Sequence, residues 1–162
     1  MNRSWRCLVC SVESDSHSWN LIYLQKLVEE HGATVRNLGC CTPASEVVQA
    51  CRDFRPDLVV VSSVNGDGQH GVRVLLATLR RDGIEIPVVA GGKLTTSEAD
   101  NDGVRRDLLT RGCAEVFTGD SAVSDLRDFL AHHEWTPRVR PVLLHTLPAA
   151  PGPGAEVLSW TS

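Results

Sequence analysis

Apolar residues along this chain alternate between short unbroken runs and stretches with helical spacing, the pattern of buried parallel strands joined by amphipathic crossover helices. Residues 6–12 predict a first strand. Residues 18–31 predict a helix with Leu21, Leu24, Leu27 and Val28 on one face, ended by Gly32. A second strand is expected over residues 33–38. Thr42 as N-cap, with Pro43 at the first helical position, then opens a helix with Val47, Val48 and Cys51 inward, and Pro56 closes it. Residues 57–62, Asp-Leu-Val-Val-Val-Ser, form the most strand-like run, and Val72, Leu75, Leu76 and Leu79 follow at i, i+3, i+4 and i+7. Residues 86–90 predict a fourth strand with Pro87 near its start, and Val104, Leu108 and Leu109 mark the next helix. Residues 114–117 predict a fifth strand. Asp120 or Ser121 then caps a last helix carrying Val123, Leu126, Phe129 and Leu130.

Five such units with right-handed crossovers imply an α/β fold, a flavodoxin-like (Rossmann-like) three-layer sandwich around a five-stranded parallel sheet of order 2-1-3-4-5. Residues 1–134 are expected to form one domain. Residues 135–162 hold Pro137, Pro141, Pro148, Pro151 and Pro153 with little periodicity and read as a Pro-rich C-terminal tail.

Composition narrows the function classes. With 162 residues, 42% of them hydrophobic and 22% charged, the chain suits one folded soluble domain. A net charge of −4 with no basic stripe gives no electrostatic support for a nucleic-acid groove or an anionic membrane surface. The N-terminal apolar run, residues 7–10, is far below the roughly 18 residues of a membrane span and too short for a secretory core, so a cytoplasmic location is expected. Six cysteines then read as small buried apolar residues. Cys7-x-x-Cys10 falls inside a strand, where residues three apart face opposite sides, and Cys40-Cys41 has no second pair at zinc-ligand spacing.

In open α/β sheets ligands bind beyond the carboxyl ends of the strands. After the first strand comes Glu13-Ser14-Asp15-Ser16-His17-Ser18-Trp19-Asn20; after the third, Ser62-Ser63-Val64-Asn65-Gly66-Asp67-Gly68-Gln69-His70; after the fourth, Ala90-Gly91-Gly92-Lys93-Leu94. A carboxylate beside an exposed imidazole fixes its tautomer and makes the other ring nitrogen a better metal ligand. Taken singly, each loop has a plainer reading: Ser16 or Ser18 caps a helix beside a solvated His17, Gly91-Gly92 is a permissive turn, and Ser62 and Ser63 are strand-end hydroxyls. The remaining histidines, His31, His70, His132, His133 and His145, read as solvated or helix-end residues.

Taken together and in order, Asp15-Ser16-His17-Ser18-Trp19-Asn20, Ser62-Ser63-Val64 and Gly91-Gly92 resemble the cobalamin-binding domains of adenosylcobalamin-dependent mutases, whose pattern is Asp-x-His-x-x-Gly, Ser-x-Leu and Gly-Gly. Asn37-Leu38-Gly39 and Val61-Ser62-Ser63-Val64-x-Gly66-x-Gly68 extend the likeness to the stand-alone small (sigma) subunits of glutamate mutase (methylaspartate mutase) over residues 6–130. The resemblance implies adenosylcobalamin as cofactor, with the cofactor's own benzimidazole displaced from cobalt by His17. Asp15 would be the partner of His17, and Ser62 would hydrogen-bond the displaced base. Val64, in the place of the motif Leu, would line its pocket, with Gly91 and Gly92 making room for the nucleotide tail. Ser16, Ser18, Ser63, Gly66 and Lys93 complete the expected contact set, and Asn20 departs from the motif glycine.

The resemblance further implies an isomerase subunit that rearranges L-glutamate to L-threo-3-methylaspartate. It would be inactive alone and docked on a larger barrel-type subunit that binds substrate, as a heterotetramer with two copies of each chain. Two alternatives stand beside this: a corrinoid carrier for a methyltransferase or radical enzyme, and a flavodoxin-like module that binds no cobalamin. For the second, a receiver needs an acidic phosphoacceptor where the chain has Ser62, and a flavodoxin needs a phosphate-cradling loop where the chain has acids.

Overall fold

Leu58–Ser63 is buried at every position, as a strand covered on both faces must be, and the sheet is built around it. The computed structural model describes residues 4–135. The tail from residue 136 onward, with His145, lies outside the described residues.

The elements follow in the order β1 (Arg6–Cys10), α1 (Trp19–Glu30), β2 (Thr34–Asn37), α2 (Ala44–Phe54), β3 (Leu58–Ser63), α3 (Gly68–Arg81), β4 (Val88–Gly92), α4 (Asn101–Thr110), β5 (Glu115–Phe117) and α5 (Ala122–His132). All neighbouring strands pair in parallel, in the order β2-β1-β3-β4-β5. This is the expected doubly wound sandwich. On one face Leu8, Cys10, Val59 and Val61 pack against Val47 of α2, Leu75 of α3 and Leu108 of α4. On the other, Cys7, Val9, Leu58 and Val60 pack against Leu21 of α1 and Leu126 of α5. Cys7 and Cys10 thus face opposite sides of the sheet; Cys51 and Cys113 are buried as expected, whereas Cys40 is half-buried and Cys41 exposed. Burial pushes the Cys7 and Cys10 thiols well up and Cys113 to about 12, so these three stay protonated packing groups. No helix among the described residues is long and apolar enough to cross a membrane.

Four local expectations change. Thr42 does not cap α2: Pro43 is the N-cap residue, and the Thr42 hydroxyl accepts from the Ser11 N–H at 3.2 Å and donates to the Gly39 carbonyl at 2.7 Å. Long-range bonding of a buried hydroxyl has overridden its local capping preference. The fourth strand runs two residues later than expected, because Pro87 has no N–H for the ladder and Gly91 and Gly92 pair with Ser62 and Ser63 of β3. Val123, grouped with the apolar residues of the last helix, is 42% exposed, while Leu126 and Leu130 of the same helix are buried. Trp135, assigned to the tail, stacks on Trp5 with ring centroids 4.0 Å apart and planes 3° from parallel.

Candidate functional site

The carboxyl ends of β1, β3 and β4 bring the three sequence signatures to one edge of the sheet. The β1–α1 loop holds Asp15 at its centre with no exposed surface. Oδ1 of Asp15 accepts the His17 backbone N–H at 2.9 Å and lies 2.6 Å from His17 Nδ1. Oδ2 accepts the Val64 N–H at 2.7 Å and lies 2.8 Å from the Ser63 hydroxyl. Burial by itself raises this carboxyl's pKa. The hydrogen bonds from His17 and Val64 N–H, the imidazole and the Ser63 hydroxyl outweigh burial and lower it to about 2.

An ionised carboxylate can only accept, so the proton facing it sits on His17 Nδ1, and in the neutral ring the lone pair is then on Nε2. The His17 side chain is 60% exposed. The arrangement therefore offers one oriented imidazole nitrogen to a metal outside the protein surface, held by a carboxylate that is itself fixed by β3.

Beside this clamp, a cavity of about 200 Å³ opens between α1, α5 and the ends of β3 and β4. Its walls are mainly apolar, with Tyr23, Leu24, Val64, Phe117 and Val123 among them; Asn20 and Ser62 supply polar groups. Asn20 Nδ2 donates to Ser62 Oγ at 2.9 Å, while Asn20 Oδ1 is buried without a partner. A flat, mostly apolar group with a hydrogen-bonding atom for the Ser62 hydroxyl fits this slot.

Gly91 and Gly92 line the same cavity, but neighbouring strands dictate why they are glycines. A Cβ on Gly91 would lie 2.8 Å from the Phe117 carbonyl oxygen, and one on Gly92 would lie 2.3 Å from that of Ser63 at φ +101°. Asp15, His17, Ser62, Ser63, Val64, Gly91 and Gly92 thus meet at one edge. Ser16, Ser18 and Lys93 are exposed and line neither the clamp nor the slot, although the Lys93 carbonyl accepts from Gly66 N–H at 3.0 Å and shapes the turn there. Neither Ser16 nor Ser18 caps α1 through its side chain.

Two contributors were absent from the expected contact set. Asn65 Nδ2 donates to the Ser14 carbonyl at 3.0 Å, and its Oδ1 lies 3.0 Å from the Ser63 hydroxyl and 2.9 Å from Asp67 N–H, tying the two loops together. The Cys41 N–H donates to the Asp15 carbonyl at 2.7 Å from a left-handed conformation, φ 51°. The run Asn65-Gly66-Asp67-Gly68 signals a turn, but nothing local announces its partner in another loop.

A family profile described as the B12 binding domain matches residues 5–119. The chain belongs to the B12-binding domain family. It is 33% identical to the glutamate mutase sigma subunit of Halobacterium salinarum over 118 residues, covering 71% of this chain and 79% of that one. A glutamate mutase sigma subunit from Treponema denticola is 24% identical over 82% of this chain and 99% of its own length. Among solved structures, a cobalamin-binding protein from Desulfitobacterium hafniense superposes with a TM-score of 0.64 at 19% identity, covering 79% of this chain and 60% of that longer one. That last likeness shows the fold alone. The likeness to the small subunits of glutamate mutase, first carried by three short motifs, extends across most of this B12-binding chain.

The site's own geometry fits cobalamin. His17 would offer a single nitrogen to cobalt, and the adjoining slot has an apolar body and a hydroxyl that a displaced benzimidazole would meet.

Proposed function

We propose that this chain is the adenosylcobalamin-binding subunit of a carbon-skeleton mutase, with glutamate mutase as the reaction its relatives favour. The observation that carries the cobalamin half is the Asp15–His17 pair, with Nε2 free and an apolar slot beside it. His17 would ligate cobalt from the protein side. By accepting from Nδ1–H, Asp15 holds the ring in its tautomer and makes Nε2 a better electron-pair donor, and the Ser62 hydroxyl would donate to the displaced base. When bound, the cofactor supplies a cobalt–carbon bond whose homolysis starts a radical rearrangement.

The mutase half rests on what the chain lacks the means to hold. Its five strand-end loops contain one lysine, Lys93, and no arginine, which is too little cation to fix a dicarboxylic amino acid. An edge site also leaves the outer face of a flat corrin in water, where radicals would be lost. A larger subunit that binds substrate therefore closes the site, as the name of its sigma-subunit relatives suggests.

Two measurements test the reading. Cobalt(II) spin-resonance spectra of the chain with cobalamin, using protein labelled with ¹⁵N at histidine, should show superhyperfine coupling to the label. A spectrum insensitive to the label rejects His17 as ligand. Mixing the chain with adenosylcobalamin, a glutamate mutase large subunit and glutamate should yield 3-methylaspartate, whereas turnover by the small chain alone would overturn the division of labour. Methyl transfer onto the bound cobalamin, with no adenosyl requirement, would replace the mutase by a corrin-carrier role.

A further inference from the structure

A second cavity, of about 280 Å³, lies at the same strand-end edge but between α2 and α3, on the opposite face of the sheet from the slot. Its throat is apolar, formed by Val12, Val47 and Leu75. Ser11 also lines it, is only 2% exposed, and its hydroxyl has no hydrogen-bond partner. Unpaired buried hydroxyls are uncommon, and one in a cavity marks a place for a ligand atom. At the rim stand Glu13 and Asp67, both exposed and neither side chain paired with any described residue.

Electrostatics decides what such a cavity takes. The first turns of α2 and α3 line it, and each helix N-terminus presents about half a positive charge. Together they offset roughly one of the two carboxylates, leaving about one net negative charge over an apolar throat. No Lys or Arg lines the cavity to neutralise it, and its one imidazole, His70, is exposed to solvent. A long aliphatic stem ending in a cation matches all three features, with the stem in the throat and hydrogen-bond donors for Ser11 Oγ, Glu13 and Asp67.

We infer that this cavity is a docking socket for a basic side chain, an arginine by its number of donors, presented by a partner subunit. Assigning the side chain to a partner rests on the proposed role as a small subunit. The socket adjoins the loop that carries Asp15 and His17, so a chain covering the cofactor passes over it.

The test needs neither the partner nor cobalamin. Two-dimensional ¹H–¹⁵N spectra of the full chain titrated with acetyl-arginine-amide at millimolar concentration should show saturable shifts at the Ser11, Val12 and Leu75 amides. The uncharged isostere acetyl-citrulline-amide should leave them in place. In a Glu13→Gln, Asp67→Asn double variant the affinity should fall at least about tenfold, and in Ser11→Ala a few-fold. Absent shifts, equal shifts with citrulline, or an undiminished response in the double variant would each overturn the socket. Cobalamin titration of the same double variant separates the two readings. The socket predicts unaltered cobalamin affinity there, and wild-type protein that binds arginine but no cobalamin would fail only the cofactor assignment.

Discussion

The clamp around Asp15 and the slot between α1 and α5 share one sheet edge yet are finished to different degrees. Both oxygens of Asp15 are fully used by backbone, imidazole and hydroxyl donors. The slot keeps an orphaned Asn20 Oδ1 and borders side chains as exposed as Tyr23 at 49% and Val123 at 42%. The difference separates two kinds of binding site. A metal ligand has to be oriented before the metal arrives, and its supporting bonds are internal to the protein. A slot for a planar base is completed by the base, so its surfaces stay open until then.

Several substitutions press on this contrast. The largest effect falls on His17→Ala, which should abolish nitrogen superhyperfine coupling in the cobalt(II) spectrum while leaving the thermal unfolding transition close to wild type, since the ring is mostly exposed. Persistent coupling would show that the clamp orients something other than the ligand. Next comes Gly92→Ala, where a Cβ meets the Ser63 carbonyl at 2.3 Å from a left-handed backbone. It should cost roughly 3 kcal/mol of stability by urea unfolding, with cofactor or without. Loss of cobalamin binding in a variant of wild-type stability would show instead that the glycine serves the ligand.

Asp15→Asn is expected to be milder than His17→Ala for cobalt ligation, lowering cobalamin affinity or activity by about 10–100-fold while His17 remains present. It also carries a pH signature. The folded pKa of Asp15, about 2, lies below the ordinary 3.8, so its stabilisation is present above about pH 3.8 and lost as pH falls through about 2. That shift corresponds to about 2 kcal/mol. The urea midpoints of wild type and Asp15→Asn should therefore converge over that window, and a constant gap would place the stabilisation elsewhere. The smallest expected effect belongs to Asn20→Gly. Dimethylbenzimidazole has no donor for the orphaned Oδ1, so removing the side chain should tighten cobalamin a few-fold in a direct titration. Weaker binding would make Asn20 a contact of the cofactor, and no change would take it out of the slot's reach.

Much of the fold was legible because helical spacing and burial report the same physics: Leu21, Leu24, Leu27 and Val28 are the buried residues of α1, as their periodicity requires. Asp15 and His17 were legible because they are two residues apart and interact locally. Thr42, Asn20 and Asn65 were harder to place, since their partners Ser11, Ser62 and Ser14 lie 31, 42 and 51 residues away and are brought near only by the crossovers. Gly91 and Gly92 teach a different lesson. The motif implies room for a ligand, but the missing side chains also make room for carbonyl oxygens of β3 and β5, so a Gly-Gly pair at a central strand end signals crowding by neighbours as much as by cofactor.

The stacking of Trp5 on Trp135 brings the last described residue back beside the approach to β1. Trp5 immediately precedes β1, whereas Asp15 and His17 follow it, so the sandwich is entered and left at one point on the edge away from its chemistry. A unit whose described ends meet there can be joined to other chain at that point while its own ends stay clear of the His17 face. One architecture can then serve as a freestanding part in one protein and as an inserted cassette in another, with the working edge facing outward in both.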